Sequence, residues 1–103
     1  MTQDKLVMRM AEGRAPVIID VRTGMEFRRG HIPGALHAPI WKIVLGLAPL
    51  PADRRTELVV LCELGPRAMM AKVLLGVLGY RDASLLTGHM AGWRRAGHPV
   101  AKG

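Results

Sequence analysis

Cysteine is almost absent from this chain: 103 residues contain one, Cys62. A single cysteine excludes an internal disulfide, and with it the stapled architecture of small secreted domains. It also makes a zinc site a poor reading, and His37, His89 and His98 show no ligand spacing; no metal and no cofactor is expected. Aromatic side chains number only four, Phe27, Trp41, Tyr80 and Trp93, so the core must be aliphatic. Methionine is its expected filler, at Met8, Met10, Met69, Met70 and Met90. The longest apolar stretches, near Leu58–Cys62 and Val73–Leu78, are far too short to cross a bilayer. The opening Met1-Thr2-Gln3-Asp4-Lys5 does not read as a signal peptide. The expectation is a cytoplasmic protein with no membrane partner. Acidic residues are also few, 8 against 15 lysines and arginines, for a net charge of +7. The basic pairs Arg28-Arg29, Arg54-Arg55 and Arg94-Arg95 are far apart and not interleaved with aromatics, so a nucleic-acid surface is only weakly signalled. A solvated basic surface that draws in small anions is the better reading.

What is present suffices for one folded unit over residues 1–103. Half of the residues are hydrophobic and 22% are charged, which excludes a disordered chain. Thr2 is placed to cap a helix whose Leu6, Val7, Met10 and Ala11 share a face, with Gly13 as its stop. Val17-Ile18-Ile19 is a continuous apolar run, as strands covered on both faces require. Thr23 and Glu26 have capping-box spacing, which predicts a short helix ending at Gly30. Ile32-Pro33-Gly34-Ala35 fits a type II turn before a short extended piece. One or two helical turns are expected between Trp41 and Leu47, then a loop to Glu57. Leu58–Leu61 reads as a buried strand, Ala68–Leu78 as a helix stopped by Gly79, and Ser84-Leu85-Leu86 as a last strand. Thr87 is the predicted cap of a final helix carrying Met90 and Trp93. Strands alternating with helices imply a three-layer α/β/α fold around a central, mostly parallel sheet of 4–5 short strands.

In such sheets the ligand site lies at the carboxyl ends of strands. Cys62 occupies one such end, in the loop Cys62-Glu63-Leu64-Gly65-Pro66-Arg67 that leads into a helix. The unpaired N–H groups and the positive end of that helix favour an anion in the loop, and a thiolate or persulfide is such an anion. Gly65 lets the backbone curl tightly, and Arg67 is expected to offer its guanidinium to the same anion. By base rate a lone cysteine is a small buried hydrophobe; these neighbours tilt the reading towards a nucleophile.

The chain resembles the single-domain rhodanese-like (thiosulfate sulfurtransferase-like) family nearly end to end. The resemblance rests on the Cys-x4-Arg loop from Cys62 to Arg67 followed by the small Ala68, and on Val17-Ile18-Ile19-Asp20-Val21-Arg22. Glu26-Phe27, Gly30-His31-Ile32-Pro33-Gly34-Ala35, Leu78-Gly79-Tyr80, Gly88 and Trp93 follow in the family's order. It implies a persulfide mechanism: Cys62 takes sulfane sulfur from thiosulfate or a persulfide donor, and cyanide in assays or a thiol, small or protein-borne, removes it. Glu63 to Ala68 would then form the substrate-binding loop. Asp20, Arg22, Glu26 and His31 are expected in support, with Asp20 and Arg22 capping loops and pairing with Glu26, and His31 as a structural hydrogen-bonding residue.

This chain departs from the family pattern at three places. Pro66 removes one N–H from the cradle. Glu63 puts a carboxylate beside the sulfur, strong enough at about 4 Å (roughly 1–4 kcal/mol) to cancel Arg67, so thiosulfate should be a poor donor. Gly88-His89 stands where the family often carries Gly-Gly, and Met69 and Met70 are candidates to line the mouth of the site. Two rival readings stay open: a cysteine phosphatase or arsenate reductase, whose loops have five intervening residues rather than four, and a sulfur-carrier or regulatory binding module.

Overall fold

The structure, a computed structural model, describes residues 1–103. Its elements are α1 (Gln3–Ala11), β1 (Val17–Asp20), α2 (Gly24–Arg29), β2 (Leu36–His37), α3 (Ile40–Val44), β3 (Leu58–Leu61), α4 (Pro66–Val77), β4 (Ala83–Leu85) and α5 (His89–Arg95). The four strands form one sheet in the order β2-β1-β3-β4, every pair parallel. The expected α/β architecture is therefore observed, with the all-parallel arrangement at the lower end of the predicted strand number.

Period-two alternation along β3 splits the core in two. Leu58 and Val60 face the side covered by α3 and α4, where Ile19, Ile43, Ala71 and Leu75 pack. Val59 and Leu61 face the opposite side, with Leu6 of α1 and Met90 and Trp93 of α5. β3 is buried on both faces, and each of its larger side chains stabilises the fold by about 1.5–3 kcal/mol. Cys62 continues the alternation onto the α4 side and is fully buried.

The sequence signals for local structure were mostly sound. Thr2 accepts from the Lys5 N–H, and Thr23 and Glu26 close a capping box. The Ala35 N–H donates to the Ile32 carbonyl across the Pro33-Gly34 turn, with Gly34 at φ 85°. Three expectations are corrected. α4 begins at Pro66, two residues early, because a proline in the first helical position loses an N–H that has no helical partner anyway. Thr87 does not cap α5; Gly88 stands there in a left-handed conformation with no side-chain cap. Instead the first-turn N–H groups of Met90 and Ala91 donate to the carbonyls of Cys62 and Glu63, so the loop after β3 satisfies them. Of the five methionines assigned to the core, Met90 is buried, whereas Met8 of α1 and Met69 and Met70 of α4 are more than half exposed; α4 buries Ala68, Ala71 and Leu75 instead of its methionines. No helix is long and apolar enough to cross a membrane.

Candidate functional site

The register of β1 on β3 pairs Asp20 with Leu61. The two strands thus end level, and Asp20-Val21-Arg22 emerges beside Cys62-Glu63. The Val21 N–H donates to the Leu61 carbonyl at 3.1 Å and extends the ladder to this edge.

Between Cys62 and Pro66 the chain makes one tight turn. Gly65 has φ 131° and ψ −40°, a conformation open to glycine. That turn aims the Gly65 N–H at Cys62 Sγ, 3.0 Å away. A thiolate or a persulfide accepts such a bond more strongly than a neutral thiol does. Cys62 forms the floor of a cleft of about 270 Å³ walled by Glu63, Leu64, Pro66 and Arg67. Leu64 and Pro66 line its mouth, a place the sequence assigned to Met69 and Met70; those two point elsewhere from α4, and Ala68 is buried beneath the loop against the sheet.

The charges around the loop are paired differently from expectation. Arg67, the second residue of α4, makes a two-toothed pair with Glu26 at 2.7 and 3.1 Å. It is therefore held sideways rather than committed to the sulfur. The Arg67 guanidinium pulls the Glu26 carboxyl down to about 2, and Glu26 in turn raises Arg67. Arg22 does not pair with Glu26. It is buried with Asp20, which it meets through Nε and Nη2 at 2.9–3.2 Å, while Nη2 also donates to the Gly30 carbonyl at 2.7 Å. The remaining Nη1 faces Glu63 at 3.5 Å, and Arg94 of α5 takes the other Glu63 oxygen. The carboxylate next to the cysteine is thus countered from two sides, while its charge still reaches Arg67 and adds to the raising of that guanidinium. His31 does the structural work expected of it: Nδ1 bonds the Phe27 carbonyl at 2.8 Å and its ring stacks on Phe27 at 3.8 Å.

His89, expected near the site only as a departure from glycine, and Arg94, which the sequence reading did not connect with it, both belong to this site. The His89 ring lies under the loop, where Nδ1 accepts from the Cys62 N–H at 3.3 Å. That bond requires Nδ1 to be unprotonated, so the neutral ring carries its proton on Nε2. Burial also pushes the imidazole below its ordinary value. His89 holds φ 53°, the one non-glycine residue with positive φ. The usable signal was its place after Gly88, where a second glycine is the family's frequent choice and a side chain has a conformational cost. No group of three or more His, Cys, Asp or Glu side chains is arranged to hold a metal ion.

Comparison with known proteins gives this geometry a context. The sequence profile described as the rhodanese-like domain matches residues 2–96. A sulfurtransferase of Allochromatium vinosum is 32% identical over 97 residues, covering 94% of this chain and 89% of the relative. The human thiosulfate:glutathione sulfurtransferase is 32% identical, covering 82% of this chain and 83% of the relative. Among solved structures, the human single-domain sulfurtransferase TSTD1 superimposes with a TM-score of 0.80 at 30% identity, covering 92% of this chain and 94% of that one.

Proposed function

Because the chain belongs to the rhodanese-like domain family, we propose that it is a sulfurtransferase that carries sulfane sulfur as a persulfide on Cys62. Relatives named sulfurtransferase at about 30% identity support a rhodanese-type enzyme at family level. The observation that carries the proposal for this chain is the Gly65 N–H held 3.0 Å from Cys62 Sγ, in a loop of four residues between Cys62 and Arg67.

The first step is attack of the Cys62 thiolate on the outer sulfur of thiosulfate. The Sγ–S bond forms, the S–S bond of the donor breaks, and sulfite leaves with that electron pair. In the second step an acceptor thiolate, or cyanide, attacks the outer sulfur of Cys62–S–S⁻. The bond to Sγ breaks and its pair regenerates the Cys62 thiolate. No external oxidant or reductant enters, and dividing the transfer in two replaces one difficult encounter with two displacements at sulfur. The loop amide supplies a fixed donor to the sulfur anion in both steps. Asp20, Arg22 and Glu26 act by positioning: the first two fix Glu63 and the strand ends, and the third fixes Arg67. With no second cysteine to resolve the persulfide, discharge goes to an external thiol, small or protein-borne, in a cytoplasmic setting that keeps Cys62 reduced.

A carrier role is the second reading, favoured by the complete burial of Cys62, which slows exchange with bulky donors. The test is incubation with thiosulfate followed by intact-mass measurement. One added sulfur in the parent chain that is missing in Cys62→Ser supports sulfur transfer. Loading that cyanide and thiols fail to discharge supports the carrier. Absence of any adduct with thiosulfate and with a persulfide donor overturns both.

A further inference from the structure

The ladder between β3 and β4 stops just short of the reactive cysteine, and His89 is what stops it. Val60 pairs with Leu85, and the Leu86 N–H donates to the Val60 carbonyl at 3.0 Å. Continued in the same parallel pattern, the next bond along this edge would run from the Cys62 N–H to the Leu86 carbonyl. Instead the His89 N–H takes the Leu86 carbonyl at 3.2 Å, and the Cys62 N–H turns to His89 Nδ1 at 3.3 Å. One residue thus replaces both partners of a missing sheet bond. Its main chain takes the acceptor and its ring takes the donor.

This arrangement keeps a side chain where the backbone disfavours one. Gly88 at φ 81° and His89 at φ 53° turn the chain back in two successive left-handed steps. Glycine makes the first step without strain, whereas His89 makes the second with a Cβ. Its ring is buried under the loop, with Nε2 3.1 Å from where a Cβ on Gly65 would lie. The rest of α5 completes the hold on Cys62 and Glu63. The Met90 and Ala91 N–H groups bond their carbonyls at 2.9 and 3.2 Å, and Arg94 pairs with the Glu63 carboxylate. A glycine at position 89 would keep those three contacts. It would leave the buried Cys62 N–H with no acceptor.

We propose that His89 is a positioning residue for sulfur transfer: its ring accepts the Cys62 N–H that the sheet gives up, and so fixes Sγ against the Gly65 N–H. The inference rests on the persulfide reading of Cys62 and adds the residue that sets where the strand ends and the reactive loop begins. Cys62 is held from both sides, at its N–H by the His89 ring and at its carbonyl by the Met90 N–H. With its backbone fixed, Sγ stays 3.0 Å from the Gly65 N–H. A buried N–H without an acceptor is costly. Without the ring, the chain relieves that cost by drawing Cys62 back into the ladder towards Leu86, which shifts Sγ from its donor. His89 touches neither donor nor acceptor of sulfur; it acts through the Cys62 backbone.

The test compares His89→Gly, which removes the ring and the backbone strain together, with His89→Asn, which tolerates positive φ and offers Oδ1 close to the place of Nδ1. Persulfide loading is followed over a range of thiosulfate concentrations and expressed per folded protein. His89→Gly should load about tenfold more slowly at saturation, with the half-saturating concentration within about twofold of the parent, and His89→Asn should recover most of that loss. Amide hydrogen exchange of the reduced protein, with no sulfur donor present, is read separately. The Cys62 amide should exchange about 100-fold faster in His89→Gly than in the parent or His89→Asn, while Val21 and Leu86, in the ladders on either side, keep their protection. That pattern supports the hold on Cys62 even if the cysteine never acquires sulfur, a failure that would count against the persulfide reading alone. Nitrogen NMR of the parent ring needs no variant to fold, and it should show Nδ1 without a proton. Loading in His89→Gly within about twofold of the parent, a Cys62 amide equally protected there, no recovery in His89→Asn, or a parent ring protonated at Nδ1 overturns the proposal.

Discussion

Gly65→Ala separates the two demands that the loop makes on its glycine. The first is conformational. At φ 131° and ψ −40° the backbone lies where an L side chain is strained by about 1–3 kcal/mol. The second is spatial. A methyl at Gly65 would stand 3.1 Å from His89 Nε2 and 3.4 Å from Cδ2. The imidazole has little room to yield, being buried, bonded through Nδ1 to the Cys62 N–H and set on a backbone of φ 53°. Together the two terms predict a loss of about 2–4 kcal/mol in urea unfolding of the reduced protein. Displacing the Gly65 N–H from Cys62 Sγ removes a hydrogen bond to an anion worth about 1.5–3 kcal/mol, so persulfide loading should slow by about 10- to 100-fold. His89→Gly relieves the contact and leaves the backbone strain. The double variant Gly65→Ala/His89→Gly should therefore be more stable than the sum of the single effects by about 1 kcal/mol. A Gly65→Ala protein within 0.5 kcal/mol of the parent, on the scale where surface changes fall, or a cycle with no coupling, would refute this account of the loop.

Three further outcomes follow from the charges. Glu26 is held down at about 2 by Arg67; a carboxylate depressed on folding stabilises the protein above its ordinary value near 4.5, and that stability is lost as pH falls from there towards 2. Because the pair is about one-third exposed, Glu26→Gln should lose about 1 kcal/mol at pH 7 and flatten the acid limb of unfolding, and an unchanged acid limb would sink the assignment. His89 is neutral at pH 7 and burial lowers its proton affinity; below about 6.5 the unfolded chain takes a proton that the folded one resists, so stability falls as pH drops. His89→Asn, which tolerates positive φ, should remove that slope, and NMR of the parent ring should report the Nε2–H form. Glu63→Gln frees Arg94 and one edge of Arg22 while Asp20 keeps Arg22 in place; thiosulfate loading should rise several-fold and become steeper in salt, and unchanged thiosulfate kinetics would remove Glu63 from the account.

The elements legible in the sequence were those set by local chemistry. Val17–Asp20 and Leu58–Leu61 announced themselves as apolar runs, and the Thr23–Glu26 box fixed the start of α2 to the residue. The cap of α5 was misread because Thr87 is a good cap in isolation, whereas the carbonyls that satisfy that helix come from Cys62 and Glu63, more than twenty residues upstream. The site shows the same division. Cys62, Gly65 and Arg67 were visible from their spacing. Which acid meets which arginine was not, since Arg67–Glu26 and Arg94–Glu63 each join groups more than thirty residues apart. His89 was noticed as a departure from a glycine, but its ring placement depends on the fold bringing α5 under the loop.

That distribution of charge changes what Glu63 and Pro66 mean. Read along the chain, each weakens an anion site, one by repulsion and the other by a missing donor. In three dimensions Pro66 opens α4, where a missing N–H carries little cost, and Glu63 is countered by Arg22 and Arg94. The group withheld from the sulfur is Arg67, and Glu26 is what withholds it. The sulfur anion therefore depends chiefly on a neutral donor, the Gly65 N–H. Such a site suits a singly charged persulfide better than a dianion such as thiosulfate, whose second charge has no cation committed to it in the cleft. Glu26→Gln should therefore improve thiosulfate loading by releasing Arg67.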